Sequence, residues 1–294
     1  MYLKDFVLPS RKDEDGYLLS FPYQLEMQCY SHNNVYPFKL FPNKELQHVS
    51  FEPITIFCGG NGSGKSTLLN IISEKLSVDA SALFNDTPYF KSYLDMCSYT
   101  LAPNVNRVPN SSKKITSDDV FDFLLDIRAV NEGIDRRREE LLNEHYITND
   151  NPMPRFTSLA EHDEFKRCLE AKRSTKSAYV SRRLPKELEG KSNGESAFVY
   201  FTQKIEENAL YLLDEPENSL SAKLQLQLVS FLEDSARFYG CQFIISTHSP
   251  FLLAMKGAKI YDLDSRPVTV KKWTDIENVR VYHDFFKNNT DSFK

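Results

Sequence analysis

The chain has 294 residues, 41% of them hydrophobic, and a formal net charge of −5. That content suffices for one large domain or a domain with a sizeable insertion, and the sign excludes a surface coated in basic charge, though not a local basic face. The longest apolar runs are strand-length rather than membrane-length. The start MYLKDFVLPSRKDEDG lacks an apolar leader core, and five scattered cysteines form no C-x-x-C pair, which predicts reduced thiols in a cytoplasmic protein with no direct membrane insertion.

In chain order, MYLKDFVL predicts an opening strand, SRKDEDG a polar turn, and the aromatic-rich stretch through Phe41 strands and loops. The signals sharpen in FEPITIFCGGNGSGKSTLLNIISEKL. Ile54–Cys58 predicts a short buried strand, the glycines a loop, and Lys65–Leu76 a helix. GGNGSGKST fits the G-x-x-x-x-G-K-[ST] template, with Gly59, Gly64, Lys65 and Ser66 in the fixed places and Asn61, Gly62, Ser63 and Thr67 completing the loop. Glycines let several backbone N–H groups converge on phosphate oxygens, and the following helix adds its positive end. Lys65 places a cation beside the β- and γ-phosphates of a nucleotide, and Ser66 offers a hydroxyl to Mg²⁺.

Residues 77–114 read as irregular and polar, with Pro88, Pro103 and Pro109 breaking any long helix. TSDDVFDFLLDIRAV predicts a helix capped by Thr116 or Ser117, with Asp118 and Asp119 at its positive end. Residues 131–183 predict two charged helices joined by the Pro/Asn loop TNDNPMPRF. Then come a helix opening at SNGES, a strand in ALYLLDEP, a helix over 222–239, a strand in CQFIIST and a final strand in AKIYDLD. Strands alternating with helices predict an α/β fold with a largely parallel sheet.

The strand in ALYLLDEP ends in Asp214 and Glu215. Parallel sheets bind at the carboxyl ends of their strands, so this pair is expected beside the phosphate loop. Asp214 is placed to hold Mg²⁺, directly or through water, and Glu215 to orient and deprotonate the attacking water. His248, just past the next buried strand, can donate to the γ-phosphate or the attacking water. Glu215, His248 and Lys65 are the candidate catalytic residues, and Ser66 and Asp214 the candidate metal ligands.

The order of these motifs resembles the ATP-binding cassette (ABC) ATPases, whose fold is a P-loop NTPase core of mixed or parallel sheet with a helical insertion. SNGES stands at that family's signature position, Ser192 and Gly194 matching the serine and second glycine of L-S-G-G-Q. Lys191, Asn193 and Glu195 depart from the pattern. Similar variants occur in members resembling the SMC, recombination-nuclease and OLD-type ATPases, and the C-terminal third looks most like small stand-alone bacterial ATPases. The resemblance implies a nucleotide-binding domain split into 1–116 and 191–294 by a helical insertion over 117–190. It also implies an ATP-dependent homodimer, in which the turn at Ser192 and Gly194 caps the γ-phosphate held by the other copy. NSLS stands where the family's dimer-contact loop follows the acidic pair. The family's Q-loop glutamine has no clear counterpart, KKITSDD standing near its place with Ser117 or Asp118 as substitutes. Phe38 and Phe41 are adenine-stacking candidates among many.

Arg136, Arg137, Arg138 and the segment 166–191 are locally basic, a face for nucleic acid or a solvated helix surface. Arg138 and His145 fit a loose R-x₆-H ribonuclease spacing. The expected activity is that of a Mg²⁺-dependent ATPase coupled to nucleic acid or an unknown partner protein, in genome maintenance or phage defence. The alternatives are a transporter's nucleotide-binding subunit and a slow nucleotide-gated switch.

Overall fold

The computed structural model describes residues 1–19, 35–81, 86–150, 162–184 and 192–293. They divide into two compact units, one of Met1–Phe121 with Asn193–Lys294, the other Asp122–Ser192.

The first unit is built on a seven-stranded sheet. Its strands are β3 (Ile54–Cys58), β4 (Asp79–Ala80), β6 (Lys113–Thr116), β7 (Leu210–Asp214), β8 (Gln242–Thr247), β9 (Lys259–Asp262) and β10 (Thr269–Lys271), in the order β10-β9-β3-β8-β7-β6-β4. All neighbours pair in parallel except β9 and β10. Every residue of β3 and β8 is buried, as expected for strands covered on both faces. Three registers fix the functional edge: Cys58 lies opposite Thr247, Asp214 opposite Ser246, and Thr116 opposite Asp214. The segments after β3, β6, β7 and β8 therefore leave the sheet at one level.

A second, antiparallel sheet has the order β2-β1-β5, from β1 (Leu3–Val7), β2 (His48–Ser50) and β5 (Ser98–Leu101). Its inner residues Leu3, Phe6 and Val49 join Leu68, Ile72 and Tyr93 in one buried cluster. At about 1.5–3 kcal/mol per fully buried large apolar side chain, this cluster is a main source of the unit's stability.

The opening strand and the element Lys65–Leu76, here α2, match the sequence expectation. Several others do not. SRKDEDG is no turn but the start of helix α1, Arg11–Leu18, because Ser10 and Asp13 form a reciprocal capping box at its start. In the described part of the aromatic-rich stretch, residues 35–41 make turns and no strand, and residues 20–34 lie outside the described residues. Residues 77–114 hold regular elements: β4, helix α3 (Phe90–Met96), β5 and β6. The prolines sit between these elements, and β5 takes its order from β1, more than ninety residues away in the chain, which no local pattern reports. AKIYDLD is not the last element, since β10 and helix α10 (Glu277–Asn288) follow it.

The described residues of the second unit are helical, and its first helix begins in the last residues of the first unit's Met1–Phe121 segment. The predicted capped helix and the one expected from residue 131 are a single helix α4, Ser117–Asp150. Thr116, not Ser117, caps it: the Asp119 N–H donates to Thr116 Oγ1 at 3.3 Å, and Asp119 Oδ2 accepts the Thr116 N–H at 2.7 Å. Residues 151–156 of the expected Pro/Asn loop lie outside the described residues. The second predicted helix is two, α5 (His162–Arg173) and α6 (Lys176–Ser181), because the Thr175 side chain caps a new start. Leu141, Ala171, Tyr179 and Val180 form this unit's own core.

Back in the first unit, α7 (Asn193–Lys204), α8 (Ala222–Phe238) and the short α9 (Pro250–Leu253) complete the fold. Among the described residues no helix is long and apolar enough to cross a membrane.

Candidate functional site

Strand β3 ends at Cys58, and the loop after it is tight. Gly59 has φ 153°, and a Cβ there would lie 2.7 Å from Ser63 Oγ, so any side chain would break the turn. Gly64, φ 95°, lets Leu40 come within 3.2 Å of where a Cβ would stand. Asn61 and Gly62 are exposed at the loop's crest, and Ser63 Oγ is buried without a protein hydrogen-bond partner. Lys65 is buried at 4% exposure, and its Nζ donates to the Gly59 and Gly60 carbonyls at 2.8 and 3.1 Å. Thr67 Oγ1 accepts the Tyr36 hydroxyl at 2.9 Å.

The acidic pair meets this loop. Ser66 Oγ donates to Asp214 Oδ1 at 3.0 Å, and the Ser246 hydroxyl donates to the same oxygen. Burial pushes the Asp214 carboxyl above its ordinary range, against the pull of these two hydroxyls and of nearby Lys114. Lys114 is itself buried and donates to Asn70 on α2; desolvation lowers its pKa, with Asp214 and Asp119 opposing. Glu215 takes a left-handed φ of 48°, a conformation that costs a non-glycine residue about 1–2 kcal/mol. It is held there by its N–H to the Ser246 carbonyl at 3.0 Å and by Asn218 Nδ2 to its Oε2 at 3.1 Å. Its other oxygen, Oε1, lies 3.7 Å from Lys65 Nζ and 3.8 Å from His248 Nδ1. The structure thus gathers Lys65, Ser66, Asp214, Glu215 and His248 at one sheet edge.

The residues fit Mg-ATP on their own terms. The turn at Gly59 would be filled by a Cβ, the buried Ser63 hydroxyl lacks a protein partner, and Ser66 and Asp214 offer the hard oxygen donors that Mg²⁺ takes.

Sequence reasoning missed four contributors. Ser246 and Glu217 join the loops after β7 and β8: Glu217 Oε1 accepts the Thr247 hydroxyl at 2.6 Å and the His248 N–H at 2.9 Å. Asp264 Oδ2 accepts the Gly60 N–H at 2.7 Å. Lys114 balances the acids from β6. Asp264 follows β9, and the same carboxyl-end rule that marked Asp214 applies to it. A pocket of about 620 Å³ opens beside Gly59, Gly60 and Asn61, with His248, Asp264 and Asn278 among its lining residues.

The signature candidates lie as follows. Ser192 is exposed immediately before α7. Gly194, inside α7, packs closely, and a Cβ there would meet Leu224 Cδ1 at 2.9 Å and the Ser219 carbonyl at 3.1 Å. Gly194→Ala is therefore expected to cost about 1–3 kcal/mol of stability. Calorimetry reads this as a lowered Tm, and an unchanged Tm would show that the Ser219 turn yields freely. In NSLS, Asn218 serves Glu215 and Ser221 caps α8.

Phe38 and Phe41 are core residues, 5% and 0% exposed, with Phe38 stacked on Tyr17 at 5.1 Å between ring centroids. Ser117 and Asp118 follow Thr116 at the same sheet edge as Asp214. In the helical unit, four of the basic residues are met locally: Arg136 by Glu132, Arg137 by Glu140, Arg138 by Asp135, and Arg183 by Glu170 with its guanidinium over Tyr179. Lys186 and Lys191 lie outside the described residues. His145 is 4% exposed and packs edge-on to Tyr179, so it and ion-paired Arg138 do not share an open site.

Residues 182–254 match the family described as "AAA domain, putative AbiEii toxin, Type IV TA system". Over 219 residues, 70% of the chain, the protein is 28% identical to an uncharacterized ABC transporter ATP-binding protein/permease of Saccharomyces cerevisiae, of whose length the match spans 15%. Among solved structures it is similar to the Smc head domain of Pyrococcus furiosus bound to the C-terminal domain of ScpA (13% identity, 81% of this chain and 94% of that one, TM-score 0.37). It is also similar to a dimeric ATP-binding cassette bound to ADP and Pi (13% identity, 78% and 90%, TM-score 0.36). With the phosphate loop, the acidic strand end and the histidine in order along one parallel sheet edge, the chain is similar to the nucleotide-binding domains of ABC- and AAA-type ATPases.

Proposed function

We propose that this domain hydrolyses ATP between two copies of the chain paired head to tail, and that turnover drives a partner through the helical insertion 117–190. The loop of Gly59, Asn61, Gly62, Ser63, Gly64, Lys65, Ser66 and Thr67 holds the phosphates, and Ser66 and Asp214 hold Mg²⁺. When bound, Mg²⁺ would neutralise negative charge on the nucleotide's phosphates. Glu215 Oε1 takes a proton from the attacking water, His248 faces the terminal phosphate, and the other copy's Ser192 and Gly194 close the site. The observation that carries this reading is the convergence of Ser66 on Asp214 at 3.0 Å and of Lys65 and His248 on one Glu215 oxygen.

The test is phosphate release by the purified chain, with sizing by light scattering. Mg-ATP is expected to be hydrolysed and to favour the dimer, and chelation by EDTA to abolish both. A chain that binds no ATP in the presence of Mg²⁺ overturns the reading. The yeast relative favours a second reading, the nucleotide-binding part of a transporter, which co-purification with a multi-span membrane protein would establish.

A further inference from the structure

Glu217, the second glutamate of D-E-P-E, is not explained by the roles above. Its side chain is 5% exposed, and a carboxylate this deeply buried is costly unless its bonds compensate. The hydrogen bonds it accepts come from the dipeptide at the end of the neighbouring strand, from the Thr247 hydroxyl and the His248 N–H. The same oxygen stands 3.4 Å from His248 Nδ1, and Oε2 is buried with no protein partner. Capping the end of β8 accounts for those two bonds but not for the same oxygen's place beside the imidazole, where an acceptor has a second effect.

We propose that Glu217 is a positioning residue that holds His248 as the Nδ1–H tautomer, leaving Nε2 to face the pocket beside Gly59, Gly60 and Asn61. Both carboxylates near the ring, Glu217 at 3.4 Å and Glu215 at 3.8 Å, lie on the Nδ1 side. A carboxylate on one imidazole nitrogen fixes which nitrogen carries the hydrogen and how the ring is turned. Glu217 thereby ties the acidic loop after β7 to the histidine loop after β8. The catalytic consequence rests on the reading that His248 faces the terminal phosphate; the tautomer does not.

The test separates the two. In nitrogen-15 histidine spectra, with the His248 resonance assigned by its loss in His248→Gln, neutral His248 is expected to show the Nδ1–H pattern in the wild-type chain without nucleotide. Glu217→Ala is expected to shift it to Nε2–H, whereas Glu217→Gln, which keeps an acceptor oxygen, retains Nδ1–H. In ATP turnover, Glu217→Ala is expected to lower kcat about 10–100-fold with KM little changed, and Glu217→Gln to restore most of it. An Nε2–H pattern in the wild type overturns the proposal whether or not any variant folds, as does an Nδ1–H pattern that survives in Glu217→Ala. Absent turnover with the expected spectra would instead count against the ATPase reading.

Discussion

Glu215→Gln is expected to lower ATP turnover by about 10²–10⁴-fold, the range lost with a general base, while leaving ATP binding intact. Glutamine has the same shape, so Asn218 and the Ser246 carbonyl still hold the residue in its left-handed turn. Lys65 keeps its two carbonyl partners in the loop. What disappears is the oxygen that accepts the water's proton. Two copies that bind ATP but cannot cleave it accumulate as the paired form, and light scattering with Mg-ATP would show a persistent dimer. A monomer that persists at high protein concentration would break the link between occupancy and pairing.

Lys65→Ala gives the opposite result in the same assay. A charge-assisted hydrogen bond contributes about 1.5–3 kcal/mol, so its loss raises the Kd for Mg-ATP roughly tenfold to a hundredfold, as titration calorimetry would measure. The cation is 4% exposed and its bonds run to the loop's own backbone, which fixes it at the phosphate site. The variant is expected to stay monomeric at ATP concentrations that pair the wild-type chain. A Kd equal to that of the wild type would remove Lys65 from the phosphate site.

The centre of this fold was legible because its strands are contiguous apolar runs bounded by strong punctuation. ITIFC before the four glycines of GGNGSG, LYLL before Asp-Glu-Pro and FIIST before His248 each announce a strand and the side chain that leaves it. The margins were less so. The helix at Arg11–Leu18 depends on a single serine–aspartate exchange, and β5 on a partner at the other end of the unit. The candidate site divides in the same way. Lys65, Ser66, Asp214 and Glu215 stand in motifs whose spacing encodes their chemistry. Glu217, Ser246 and Asp264 are ordinary residues until the sheet brings them together, because their roles follow from register between strands far apart in sequence.

That register carries a consequence for how such a chain can vary. Cys58, Thr247, Ser246, Asp214 and Thr116 are locked at one height by ladder bonds between four neighbouring strands. Adding or deleting one residue within any of them would turn its remaining side chains to the opposite face and displace whatever the strand delivers. Length can change only in the connections beyond the ladder, so growth of the molecule is channelled outward while its reactive rim stays fixed.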